Sequence, residues 1–150
     1  MKIKSKLENI VGAVTAVDED NDIILLGDFN AHVGIVGPQE LNINGCLLLD
    51  LMETYNLILL NNDENCVGEI TRSCRGERST IDFVLVNTRA YNKFECMVID
   101  EDKLQFDNSV HCMIRVDFKL KKMKNNKIVK HEYIEYYFWK REQSHIYLKY

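Results

Sequence analysis

Ile23-Ile24-Leu25-Leu26-Gly27-Asp28-Phe29-Asn30 is the stretch on which the reading of the fold turns. Four apolar residues run without interruption between Asp22 and Gly27. Such a run, β-branched at its start and bounded by turn-forming residues, predicts a central strand covered on both faces. Beyond the glycine stand a carboxylate and an amide two positions apart. On extended backbone Asp28 and Asn30 project to one side and Phe29 to the other. A carboxylate and an amide held together at a strand end suit a divalent cation, a water or a phosphate oxygen. An Asx turn closing the strand accounts for the same pair by local chemistry alone.

Upstream, Ile3, Leu7, Ile10, Val11 and Val14 share one helical face, which predicts a helix over residues 3–14. It leads into the strand through the acidic turn of residues 18–22, read as solvated. Downstream, Gly34, Gly37 and Pro38 mark an irregular loop, with His32 an exposed loop histidine. Asn44 is the expected N-cap of a helix over residues 45–55, whose apolar stripe is Leu47, Leu48, Leu51, Met52 and Tyr55 and whose stop is Asn56. Residues 57–60 read as a second buried strand.

Residues 70–72, a turn at Gly76 and residues 80–86 read as a hairpin. In its second arm Ile81, Phe83 and Leu85 share one face, and Asp82 shares the other with Val84 and Val86. A carboxylate in an apolar strand is costly to desolvate, so Asp82 requires a partner, most simply a histidine or an arginine. Arg72, Arg75 and Arg78 make the turn basic, either as a solvated tip or as a phosphate contact. Residues 94–99 and 112–118 are further strands, the latter half-exposed by its alternation. His111 stands at the entrance of the last strand, and Asp82 is its candidate orienting partner.

The whole chain has 150 residues, enough for one domain or part of a larger one. A chain of this size buries roughly 68–70% of its unfolded surface. A single proline and 46% hydrophobic residues describe a packed chain rather than a disordered one. With a net charge of −4 there is no global basic field for a nucleic-acid backbone, so phosphate chemistry would depend on local charges or a metal. The five cysteines, Cys46, Cys66, Cys74, Cys96 and Cys112, form no C-x-x-C pair and read as buried reduced thiols. The first nine residues lack the apolar core of a signal peptide, and no apolar run approaches the ~18 residues of a membrane span. A soluble intracellular protein, nuclear or cytoplasmic, is expected. After Lys119 the composition turns basic and then aromatic. We read residues 121–150 as a separate tail, a packing segment in preference to a surface that stacks on single-stranded nucleic acid.

Taken in order, Gly27-Asp28-Phe29-Asn30-Ala31, Asn44-Gly45-Cys46-Leu47-Leu48-Leu49-Asp50-Leu51, Ser79-Thr80-Ile81-Asp82-Phe83-Val84-Leu85-Val86 and Ser109-Val110-His111 form a series. The series resembles the second half of the endonuclease/exonuclease/phosphatase superfamily, most of all the endonuclease domains of non-LTR retrotransposons and proteins derived from them. The resemblance covers about residues 6–120. It implies an α/β (α+β) fold, here part of a four-layer sandwich: two mixed sheets face to face, helices outside, and a divalent-metal site at the edge. It implies phosphoester hydrolysis with Mg²⁺ or Mn²⁺, and DNA as a partner. Carried over, Asp28 is the metal ligand and positions or deprotonates the attacking water, while Asn30 holds a phosphate oxygen. Asp82 orients His111, which stabilises the pentacovalent transition state.

Two departures stand against activity. Val110 occupies the place of the aspartate in the family's closing Ser-Asp-His triplet, and an isopropyl group cannot ligate a hard cation. The family's first half, with its metal-binding glutamate, would precede residue 1. Glu40, Glu64 and Glu69 are the conceivable substitutes within the chain. The expectation is therefore a carboxy-terminal half-domain over residues 1–120, inactive or very weak alone and prone to self-association through an incomplete sheet. The alternative is a non-catalytic nucleic-acid or protein binding module derived from that domain.

Overall fold

A computed structural model describes Gly12, residues 21–103 and residues 109–119. The expected first helix, Gly12 apart, and the basic aromatic tail lie outside the described residues. Strands β1 (Ile24–Asp28), β6 (Asp82–Val86) and β2 (Ile58–Leu59) form one antiparallel sheet in the order β1-β6-β2. A second, mixed sheet runs β3-β7-β8, with β3 (Cys66–Val67) parallel and β8 (Met113–Phe118) antiparallel to β7 (Phe94–Asp100). Helix α1 spans Ile43–Tyr55, and a short helix α2 spans Thr88–Tyr91.

The alternation expected of residues 81–86 builds the layers. Phe83 and Leu85 join Leu25, Leu48, Leu51 and Leu59 in a core between the first sheet and α1. Val84 and Val86 point the other way and join Met97, Ile99 and Cys112 in a core between the two sheets. Phe83, Val84, Leu85 and Val86 are all fully buried, at roughly 1.5–3 kcal/mol of hydrophobic stabilisation for each large side chain. The central strand is thus β6. Among the described residues β1 lies at an edge of its sheet, not at the centre, although Leu25 on one face and Ile24 and Leu26 on the other contribute to the two cores.

Four further expectations need correction. The hairpin's arms are β4 (Arg72–Cys74) and β5 (Glu77–Ser79), which form their own two-stranded sheet, while residues 82–86 leave it. A strand apolar on both faces cannot remain in a surface hairpin, because burial of both faces outweighs local pairing. The turn itself has positive φ at both Arg75 (51°) and Gly76 (86°), the geometry of a two-residue hairpin turn. The second buried strand is shortened to Ile58–Leu59, since the chain turns into a 3₁₀ helix at Leu60–Asn62. The N-cap of α1 is Asn42, not Asn44: its Oδ1 accepts from the N–H of Gly45 at 2.8 Å. Of the five thiols only Cys112 is buried, while Cys46 is exposed on α1.

The loop after β1 is tied to the helix start. Asn42 Oδ1 also accepts from the His32 N–H at 3.0 Å, and the Asn42 N–H donates to the His32 carbonyl at 3.1 Å. A Cβ at Gly45 would lie 1.9 Å from that same carbonyl oxygen, so only glycine admits the approach. His32 is therefore a half-buried part of a helix cap rather than an exposed loop residue.

Candidate active site

Asp28 and Asp82 are register partners at the ends of β1 and β6. The Phe29 N–H donates to the Ile81 carbonyl at 3.0 Å, a bond that flanks the pair rather than joining it. Asp28 and Asp82 are accordingly a non-hydrogen-bonded pair, in which side chains leave one face and α-carbons approach about 4.5 Å. Like charges placed directly opposite are destabilising, so this juxtaposition calls for a positive charge nearby.

His111 supplies one when protonated. Its Nδ1 lies 2.9 Å from Asp82 Oδ2 and 3.2 Å from Oδ1. One ligand atom from each of Asp28, Asp82 and His111 lies within 4.8 Å of the others. The Asp82 side chain is 14% exposed and that of His111 35%, so the pair is partly sheltered from water screening. The hydrogen bond to Asp82 raises the His111 imidazole above its ordinary value against the opposing effect of burial; the Asp82 and Asp28 charges add to the rise and Arg72 reduces it. The Asp28 carboxyl is also pushed up, first by desolvation and then by the Asp82 charge, while the Asn30 N–H and His111 pull it down.

Asn30 departs from the extended geometry expected of it. Its φ is +47°, and its N–H donates to Asp28 Oδ1 at 2.9 Å. The strand closes in an Asx turn and still delivers Asp28 to the site, so the two explanations of this dipeptide hold together. The Asn30 carbonyl accepts from Asn44 Nδ2 at 2.8 Å, which anchors the turn to the start of α1.

Two buried polar residues hold Asp82 in place, and neither was singled out from the sequence. Thr71 Oγ1 accepts from the N–H groups of Ile81 and Asp82, both at 3.0 Å. Asn61 Nδ2 donates to the Asp82 carbonyl at 3.1 Å, and its Oδ1 accepts from Val84 N–H at 2.9 Å. Asn61 thus substitutes a side-chain amide for the strand pairing that β2 abandons. Thr71 also binds the histidine segment, since its carbonyl accepts the Cys112 N–H at 2.7 Å. One threonine therefore positions both members of the Asp82–His111 pair. A polar residue in a hairpin arm carries no local signal of this role.

The sequence profile of the endonuclease-reverse transcriptase family matches residues 2–115. The chain belongs to that family. Among solved structures it is similar to the endonuclease domain of TRAS1, a telomere-specific non-LTR retrotransposon, with 23% identity and a TM-score of 0.65. That match covers 80% of this chain and 53% of the TRAS1 chain, so the protein spans about half the length of the structure it resembles. No curated protein matches it. The layered α+β fold is the one these endonucleases have, as the motif series implied, and this is a retroelement-endonuclease-like domain.

For a member of the endonuclease-reverse transcriptase family, the remaining acidic candidates stand outside the cluster. None of Glu40, Glu64 and Glu69 joins Asp28, Asp82 and His111 among the described residues. Glu69 instead accepts from the Gly37 N–H at 2.9 Å and lines a cleft of about 650 Å³ with Arg78 and Glu101. That cleft contains none of Asp28, Asn30, Asp82 and His111. Glu101 there accepts from the Ile70 N–H at 3.0 Å and pairs with Arg78, which leaves Arg78 committed to structure. Val110 is 43% exposed beside His111 and offers no ligand oxygen. No helix among the described residues is long and apolar enough to cross a membrane.

Proposed function

We propose that this chain is the carboxy-terminal half of a divalent-metal-dependent phosphodiesterase domain of retroelement type, negligibly active by itself. The observation that carries the reading is the 2.9 Å Asp82–His111 contact with the Asp28 carboxylate in the same cluster. Asp28 positions or deprotonates the attacking water, and Asn30 holds a phosphate oxygen. Asp82 keeps Nδ1 of His111 occupied, which presents the opposite ring nitrogen to the phosphate and favours the charged imidazolium. An imidazolium there neutralises charge that builds on the phosphoryl oxygens in the transition state. General acid–base groups of this kind contribute about 10²–10⁴-fold each.

The donor set fits a hard cation in kind and falls short in number. Asp28 is the carboxylate available to Mg²⁺ or Mn²⁺, because Asp82 is engaged by His111. Mg²⁺ commonly uses one or two carboxylates with water and substrate phosphate, and here the second is missing. When bound, such an ion polarises the phosphoryl group and acidifies a bound water. Residues 1–120 form the half-domain in this reading and residues 121–150 its tail. β1, an edge of its sheet among the described residues, is the surface through which an incomplete sheet self-associates.

The test is nicking of supercoiled DNA in Mg²⁺. The 150-residue chain is expected to leave the plasmid intact, and Val110→Asp alone is expected not to restore cleavage. Supplying a segment with the missing glutamate restores it, in a manner that Asp28→Ala abolishes. Nicking by the chain alone, lost in Asp28→Ala, would make it a minimal nuclease instead. A non-catalytic binding module is the second reading, favoured by Val110 in the closing triplet. Salt-sensitive DNA binding that never becomes cleavage, whatever segment is added, would establish it.

A further inference from the structure

Arg72 and His111 face each other across an isolated antiparallel bridge. The Ser73 N–H donates to the Val110 carbonyl at 2.8 Å, and the Cys112 N–H donates to the Thr71 carbonyl at 2.7 Å. Both bonds belong to the residues flanking the pair, so Arg72 and His111 are a non-hydrogen-bonded pair. In this geometry the side chains leave the same face and stand closest together. A guanidinium, charged at every working pH, is thereby set beside the imidazole that Asp82 holds at 2.9 Å.

His111 has Asp82 at 2.9 Å, but Arg72 has no such partner among the described residues. Arg78 pairs with Glu101, Arg89 with Asp22 and Arg115 with Asp117. Half-buried Arg72 makes no ion pair or hydrogen bond with any described side chain. An anion beside His111 supplies the counter-charge that the Arg72 guanidinium lacks among the described side chains. A planar guanidinium fork matches two oxygens of one phosphate. One ligand atom each of Asp28, Asp82 and His111 lies within 4.8 Å of the others, so the Asp28 carboxylate and the Arg72 guanidinium both neighbour His111.

We propose that Arg72 contacts substrate: beside His111 its guanidinium binds a backbone phosphate of DNA. The inference rests on the phosphodiesterase reading above and adds to it a residue and an electrostatic layout. It also resolves the basic turn. Of its three arginines, Arg78 is structural and Arg72 faces the site.

The experiment is binding of a short labelled DNA duplex in EDTA across a salt series, followed by fluorescence anisotropy. Arg72→Gln is expected to weaken binding at low salt and to reduce the slope of log affinity against log salt by about 0.9, the share of one phosphate contact. Arg72→Lys keeps the slope. Arg89→Gln, which removes the same charge at the opposite end of β6, changes neither quantity. The His111 imidazole, followed by NMR, titrates at higher pH in Arg72→Gln, which verifies the adjacency and the fold together. For the native chain, the Arg72 Nε–H resonance shifts on addition of duplex, a measurement that stands even if Arg72→Gln does not fold. A native chain with no affinity for the duplex, an unchanged slope in folded Arg72→Gln, or a stationary Nε–H resonance overturns the proposal. Failure of the phosphodiesterase reading appears elsewhere, as a lack of Mn²⁺-induced broadening at Asp28 and Asp82, with the Arg72-dependent slope intact.

Discussion

Thr71→Val removes one oxygen at the residue that positions both halves of the site. Thr71 is fully buried, and valine has nearly its shape, so packing is conserved. What disappears is the acceptor shared by the Ile81 and Asp82 N–H groups, each 3.0 Å away. A buried donor left unpaired costs about 1–3 kcal/mol. Two donors that shared one oxygen put the loss at about 2–4 kcal/mol, since a small backbone shift can rescue part of it. At ~2–4 °C per kcal/mol for a chain of this length, the melting temperature should fall by roughly 4–16 °C. Urea denaturation followed by circular dichroism measures the free energy. Thr71→Ser is the control, keeping the oxygen and losing a methyl worth about 0.8 kcal/mol. The substitution should also loosen Asp82, so the His111 titration should drop toward its ordinary value in Thr71→Val but not in Thr71→Ser. A Thr71→Val protein as stable as Thr71→Ser, with an unmoved His111 titration, would refute the claim that this hydroxyl organises the site.

Two further outcomes follow from the charges. Asp28→Asn keeps the Oδ1 acceptor for the Asn30 N–H but removes a negative charge opposite Asp82. Because the folded-state pKa of Asp28 is raised, ionisation opposes folding; the penalty is absent below the ordinary value of 3.8 and complete above the folded one. Asp28→Asn should therefore be more stable than the native chain near neutral pH, by at most a few tenths of a kcal/mol at so exposed a position, with no gain under strongly acidic conditions. A variant less stable than the native chain in EDTA at neutral pH would count against the repulsion. For His111 the sign is opposite. Its raised pKa stabilises the fold fully below the unfolded value near 6.5, and that contribution is lost as pH rises through the folded value. The stability gap between the native chain and Asp82→Asn should narrow across this window, and a gap that widens with pH would disprove the ion pair.

Local pattern was sufficient wherever burial followed from neighbours in the chain. The alternation of residues 81–86 divided the strand into two faces, and Phe83 with Leu85 and Val84 with Val86 occupy separate cores. The stripe on α1 put Leu48 and Leu51 inside, with Met52 and Tyr55 against them, although Leu47 of the same stripe is exposed. Boundaries were misplaced where side chains took over backbone pairing. Asn42 captures Gly45 and starts the helix two residues early, and Asn61 replaces a strand and ends β2 early. The hairpin was mispaired because a period-2 pattern records which faces are apolar, never which strand lies alongside.

The sequence by itself determined that Asp82 required a counter-charge, because a lone carboxylate cannot be buried in an apolar strand without one. It named His111 as the candidate from chemical type alone. Only the tertiary structure decided that Asp82 faces Asp28 across the β1–β6 ladder and His111 at 2.9 Å, because those residues come from three segments joined by long-range pairing. It alone placed Thr71 between Asp82 and the His111 segment, and Arg72 opposite His111. Charge, hydrophobicity and turn chemistry act over a few residues and can be read along the chain. Register between distant strands is set by how whole faces pack, and the site exists only where that register brings four short segments to one end of the sheets.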